Sequence, residues 1–278
     1  MEGSIFQYEF VFKGLLGAVF ASITAGLAGT YIVSRRMVFL SGGITHASFG
    51  GIGIGYFAGI NPVVGAAVFS IISALGVEYL SVRQKIREDS AIGILWAFGM
   101  ATGIIFIYLT PGYSPNLLSY LFGSILTVTY GDLIALGIMS VILILYFGFF
   151  YRTILYISFD EVFARTYSKY VNVFKYITTS LIALTIVLNI RMAGVVLVIS
   201  LLTIPPSIAM LVSKDYVRIV LLSVGAGFIG TAAGYTISYF AGIPVGATII
   251  FTLVILWGIV KILLQVRSVI NSFSDIYH

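Results

Sequence analysis

Cysteine is absent from the chain, which excludes a disulfide framework and any thiolate metal site. Charge is almost as scarce. Asp, Glu, Lys and Arg make up 9% of the residues, against roughly 25% in a soluble domain, so the chain cannot cover itself with a solvated surface. Histidine occurs at only two positions, His46 and His278. No GxxxxGK[ST] phosphate loop, HExxH pair or nucleophile elbow occurs, and the apolar runs hold no pair of carboxylates. These absences exclude ATP binding in the P-loop manner and leave no enzyme constellation. Uphill movement of a solute would draw its energy from a partner or from an ion gradient. Glu2 and Glu9 precede the first apolar run with no basic region, which argues against a cleaved signal peptide.

What is present is apolar. The 278 residues are 60% hydrophobic, with a mean hydropathy of +1.10. The chain therefore reads as an all-α, polytopic integral membrane protein with a single transmembrane domain over residues 1–278. Its length equals roughly nine spans of about 20 residues with short connections. The net charge of +5 reflects cytoplasmic Lys and Arg, and no nucleic-acid partner is expected.

The expected spans cover residues 8–33, 38–60, 63–80, 91–109, 133–151, 176–189, 195–212, 219–240 and 247–264. Residues 117–127 are too short to cross and read as a re-entrant or interfacial piece. Residues 152–175 form the longest polar stretch. Alternation of the spans puts every Lys and Arg except Lys13 and Arg191 toward one side. That asymmetry predicts the N-terminus outside and the C-terminus in the cytoplasm. The count becomes eight if the first or last segment only lies in the interface. Small residues recur every fourth position at Gly17, Ala21, Ala25 and Gly29, at Ala47, Gly51, Gly55 and Gly59, and at Ala226, Gly230, Gly234 and Ser238. Such stripes predict close helix packing.

Polar residues inside a span are costly and commonly mark a path or a site. His46 lies inside the second span, with Gly42 and Gly50 on its helical face and Thr45 and Ser48 nearby. A neutral imidazole there could bind zinc or another divalent transition metal, or could hydrogen-bond a neighbouring helix. One histidine falls short of the roughly four ligands of a closed zinc site. Glu78, near Arg83, reads as a salt-bridge partner or a snorkelling side chain. Asp132 reads first as a helix cap and second as a cation attractor. Pro205 and Pro206 remove two backbone donors mid-span, which exposes carbonyls to a path or simply kinks a packed helix. His278 ends a polar tail with no evident role.

Ordered blocks then identify a resemblance. Residues 34–59, with SRRMVFLSGGITHASFGGIGIGYFAG at their heart, resemble the signature of the zinc, manganese and iron uptake permeases of ABC importers. So do EDSAIGILWAFGMATGIIFI, LLSYLFGSILTVTYGDL, FDEVFA, GVVLVISLLTIPPSIAMLVS and GYTISYFAGIPVGATII, in family order over residues 28–255. The resemblance implies a permease of the plasma membrane, paired with a second, identical copy. It also implies separate cytoplasmic ATPase subunits and an extracytoplasmic metal-binding protein. The metal would be cargo, with no stably bound cofactor. Phe159, Asp160, Glu161 and Ala164 match the family's ATPase-coupling segment, placed here at about 152–171. The family often carries glycine where Ser168 stands, four residues after that alanine. The family also has an aspartate four residues before the histidine, where this chain has Gly42. The expected function is thus alternating-access import of a divalent metal, zinc first and manganese second. His46 is the metal ligand, and Thr45, Ser48, Asp132, Pro205 and Pro206 are candidate pathway residues. A metal-chelate permease, an ion-coupled carrier and a membrane scaffold are the alternatives.

Overall fold

The computed structural model describes residues 9–112 and 128–276. The expected re-entrant piece at 117–127 and His278 lie outside the described residues. Eleven helices and no strands account for the ordered elements among the described residues. They are α1 (Glu9–Ser34), α2 (Val38–Phe57), α3 (Pro62–Val82), α4 (Glu88–Leu109), α5 (Tyr130–Phe149), α6 (Tyr151–Phe159), α7 (Glu161–Tyr167), α8 (Val171–Ala193), α9 (Val195–Val212), α10 (Tyr216–Ala241) and α11 (Val245–Ile276).

Among the described residues, 8 helices are long and apolar enough to cross a membrane: α1, α3, α4, α5, α8, α9, α10 and α11. The second helix is not one of them, because glycines, Ser41, Thr45, His46 and Ser48 dilute its hydropathy. Connectivity nevertheless makes it a crossing. Arg35 at the end of α1 and Glu78 near the end of α3 meet in an ion pair, so both helices finish at the same end. The 20 residues of α2, about 30 Å of helix, must return the chain in between. With it, nine helices among the described residues run between the two ends of the bundle. The helix ends alternate so that the bundle has one basic end, carrying Arg35, Arg83, Arg165 and Lys175, and an opposite end, where Lys13 and Arg191 lie.

Each glycine stripe is a packing seam. A Cβ added to Gly51 would collide with the backbone of Gly65 and Ala66 on α3, and one on Gly99 of α4 would meet the Cα of Ala47 at 2.5 Å. The second helix is thus clasped on two sides at backbone distance, the way lipid-embedded helices gain van der Waals contact. The stripe on α1 places Gly29 against Leu202 and Pro206 of α9, and that on α10 places Gly234 against Ile249 of α11.

The polar stretch at 152–175 resolves into α6, α7 and the first turn of α8. The helix α7 starts at Asp160, whose side chain accepts a hydrogen bond from the Phe163 amide at 2.9 Å, a normal N-cap. It ends at Ser168, whose backbone is extended at φ −144°, so no glycine is needed there. The last helix runs beyond the expected end at 264, to Ile276.

Candidate functional site

His46 projects from the middle of α2. Its ring lies flat on the indole of Trp96 from α4, with centroids 4.5 Å apart and planes 3° from parallel. The Nδ1 atom is buried and finds no hydrogen-bond partner among the described residues. One turn earlier, a Cβ built on Gly42 would touch only Ile199 Cδ1 and Trp96 Cζ3, each at 3.9 Å. That is ordinary contact, so a side chain has room there. The neighbouring hydroxyls are spent on their own helix: Thr45 donates to the Ser41 carbonyl, and Ser48 to the Thr45 carbonyl at 2.6 Å. Among the described residues no three His, Asp or Glu side chains gather as a metal cluster. This chain offers one imidazole nitrogen.

A cavity of about 560 Å³ opens at the end opposite the basic one, between α2, α3 and α8. Ser48, Ile52 and Tyr56 form its α2 wall, Asn61 and Ala66 belong to the α3 side, and Val187 and Arg191 to α8. Ser48 is two residues from His46, which turns it to the other side of α2. Among the expected pathway residues, only Ser48 lines this cavity. Thr45 is fully buried. Pro205 and Pro206 lie buried inside an unbroken α9, the first facing Gly227 and the second packed on Gly29.

Asp132 serves as a cap. Its Oδ2 accepts from the Thr129 amide at 2.9 Å and from the Thr129 hydroxyl at 2.7 Å, closing a capping box at the start of α5. Its Oδ1 lies 3.1 Å from Arg191 Nε, so this carboxylate stands near the rim of the cavity with both oxygens engaged.

At the basic end a charged cluster joins five segments. Arg35 Nη2 reaches Glu88 Oε1 at 3.1 Å and Glu161 Oε2 at 3.4 Å. Lys175 Nζ reaches Glu161 Oε2 at 3.1 Å and Glu78 Oε2 at 3.4 Å. The Thr179 hydroxyl donates to Glu78 Oε1 at 2.8 Å. Glu78 and Lys175 are almost wholly buried. On the outer side Arg165 donates to Glu161 Oε1 at 2.6 Å. Burial alone would raise the Glu161 carboxyl, but Lys175, Arg165 and Arg35 outweigh it and hold it below the usual carboxylate range. The expected coupling residues divide here. Glu161 enters the cluster, Ala164 is buried, Asp160 caps α7, and Phe159 is exposed, as are Val162, Phe163 and Tyr167. Sequence reasoning missed Lys175, whose only signal is a cation inside an apolar helix, and Trp96, which carried none.

Residues 7–264 match the ABC 3 transport family (ABC-3). The chain is 32% identical to the manganese transport system membrane protein MntC of Listeria monocytogenes, covering 93% of this chain and 92% of that one. It is 36% identical to a probable metal transport system membrane protein of Chlamydia pneumoniae, over 84% and 82% of the two chains. In structure it is similar to a chain of PsaBC from Streptococcus pneumoniae in complex with Fab, with a TM-score of 0.80, 28% identity and 91% of each chain covered. The multi-pass helical bundle and these full-length relatives identify a transport-system membrane subunit of the prokaryotic plasma membrane: the chain belongs to the ABC 3 transport family, among the permeases of metal ABC importers.

Proposed function

We propose that this chain is the permease of an ATP-driven importer that carries a divalent transition-metal ion by alternating access. It works as a pair of identical copies, with its N-terminus outside and its C-terminus in the cytoplasm. A separate ATPase seats against α7, and an extracytoplasmic binding protein delivers metal to the end where the cavity opens. The observation that carries the reading is the unpartnered imidazole nitrogen of His46, held halfway across a permease of this family. Neutral imidazole suits zinc, whereas manganese prefers oxygen donors. Against that chemistry, the Listeria relative is named for manganese. A transit site needs to release what it captures, and a single nitrogen from each chain fits a weak site. The exposed Phe159, Val162 and Phe163 support α7 as the ATPase-facing surface.

Uptake into vesicles holding the permease, its ATPase and its binding protein tests the reading. Zinc, manganese, iron and cobalt are offered with and without ATP, to the native chain and to His46→Ala. ATP-dependent uptake of a metal, lost in His46→Ala, is the expected result. Absence of ATP-dependent uptake of every metal sinks it. A metal-chelate cargo is the second reading, favoured by a cavity of about 560 Å³, far larger than a bare ion, and by the empty place at Gly42.

A further inference from the structure

Two of the three helices that wall the cavity, α3 and α8, also meet at their other ends in the charged cluster, joined there by Arg35 of the turn that leads into α2. The cavity lies among α2, α3 and α8 toward the outer end, where Ile52, Ala66 and Val187 form a small apolar group of their own. Toward the basic end Ile44, Ala74, Val77, Ile182 and Ala183 belong to one continuous core, and none of them lines the cavity. Beyond that core, Glu78 of α3 takes the Thr179 hydroxyl and Lys175 ammonium of α8. Glu161, on the short helix that faces outward, holds the same Lys175 at 3.1 Å and also Arg35 at 3.4 Å. Arg35 in turn stands three residues before α2 begins. The two buried cations are thus shared among Glu78 inside the bundle, Glu88 at the start of α4 and Glu161 on α7.

We propose that Glu161 is a positioning residue for transport: through Lys175 and Arg35 it holds α3 and α8 together at the basic end while the cavity stands open at the other. The assignment rests on the ATP-driven reading above. Displacement of α7 by the ATPase withdraws one of the carboxylates that neutralise two cations in a poorly hydrated site. Charges so placed tolerate the loss of a partner badly, so Lys175, Arg35 and Glu78 rearrange and the basic ends of α3 and α8 separate. The closed outer seams of α2 with α3 and α4 let that movement travel as a shift of rigid helices.

The cysteine-free chain allows a direct test. Ser81→Cys and Val173→Cys place one spin label at the basic end of each helix, in the full complex with ATPase and binding protein in nanodiscs. Distances are measured without ATP, and metal transported per ATP hydrolysed is measured in parallel, for the native cluster and for Glu161→Gln. The expected result is an intact complex that still hydrolyses ATP, a longer and broader α3–α8 distance, and a fall in metal moved per ATP of about tenfold, the scale of site-to-site coupling. A merely structural role would lower complex yield, hydrolysis and transport together and leave their ratio unchanged. Should Glu161→Gln fail to assemble, Glu161→Asp keeps the charge and withdraws it by one methylene, and an intermediate change in both readouts is expected. Native-like distance or native-like transport per ATP in the variant that assembles overturns the proposal. If the native complex moves no metal, the transport reading falls, and the distance comparison still decides whether Glu161 holds the two helices.

Discussion

Gly42 stands one helical turn before His46, and the space left by its missing side chain is open: an added Cβ meets its nearest atoms at 3.9 Å. Gly42→Asp should therefore fold normally and place a carboxylate on the same face as the imidazole. One nitrogen plus one oxygen ligand favours the harder cation. Manganese uptake at limiting metal should rise on the order of tenfold relative to zinc, the scale on which site partners tune metal affinity. Two-metal competition uptake measures it, and an unchanged ratio would mean that cargo does not pass this face of α2. Glu78 presents the opposite case, a side chain whose space is fully used. It is 1% exposed between Arg35 and Lys175, and Glu78→Ala takes from both cations their fully buried partner, leaving only the partly exposed Glu88 and Glu161. Loss of one partner from a buried pair costs about 3–5 kcal/mol, so the thermal midpoint in detergent should drop well below that of Glu78→Asp. The sequence marked Glu78 as an ion-pair residue but pointed to its neighbour Arg83. The true partners come from α8 and from the turn after α1, which no local pattern reveals.

Helix by helix, the spans were readable because lipid imposes a simple requirement of length and apolarity. The second helix shows where that requirement stops being informative. It fails an apolar criterion and still crosses, since its surface faces α3 and α4 rather than lipid, and small residues serve that purpose better than leucines. The stripe Ala47, Gly51, Gly55 showed this in advance. Gly51→Ala should then be among the harmful single methyl additions, because the new Cβ lands on the backbone carbonyl of Gly65. Overpacking of this kind costs about 1–3 kcal/mol. With a backbone opposite, no side chain can swing away, so the value should fall at the upper end. Gly93→Ala on α4, where nothing lies within 4 Å, is the matched control and should leave the detergent melting profile unchanged. The polar stretch at 152–175 was legible as the longest polar segment between spans, but not its break into α6 and α7. That break depends on Asp160 acting as the cap of α7, whereas the sequence marked Asp160 only through the resemblance, as a coupling residue.

For the molecule as a single bundle, charge placement was the most legible property and site assembly the least. Arg35, Glu78, Glu88, Glu161 and Lys175 each look like an ordinary charge at the end of a span, and only folding shows that they form one cluster. Likewise His46 was visible as a polar residue in an apolar run, but its stacking on Trp96 depends on how α2 and α4 pack. The distribution of cations carries a prediction for the complete fold. Every Lys and Arg apart from Lys13 and Arg191 lies toward the end where Arg35 sits, and loops so enriched stay on the cytoplasmic side. Ile60, at the rim of the cavity, should then face the outside, and Gln84, between α3 and α4, the cytoplasm. Both are exposed, and the native chain has no cysteine to interfere. In intact cells a membrane-impermeant maleimide should label Ile60→Cys at once and Gln84→Cys only after permeabilisation. The reverse pattern would point the cavity at the cytoplasm and α7 at the exterior. An importer fed from outside and driven by a cytoplasmic ATPase could not work in that orientation, so this labelling result bears on the transport direction before any metal is measured.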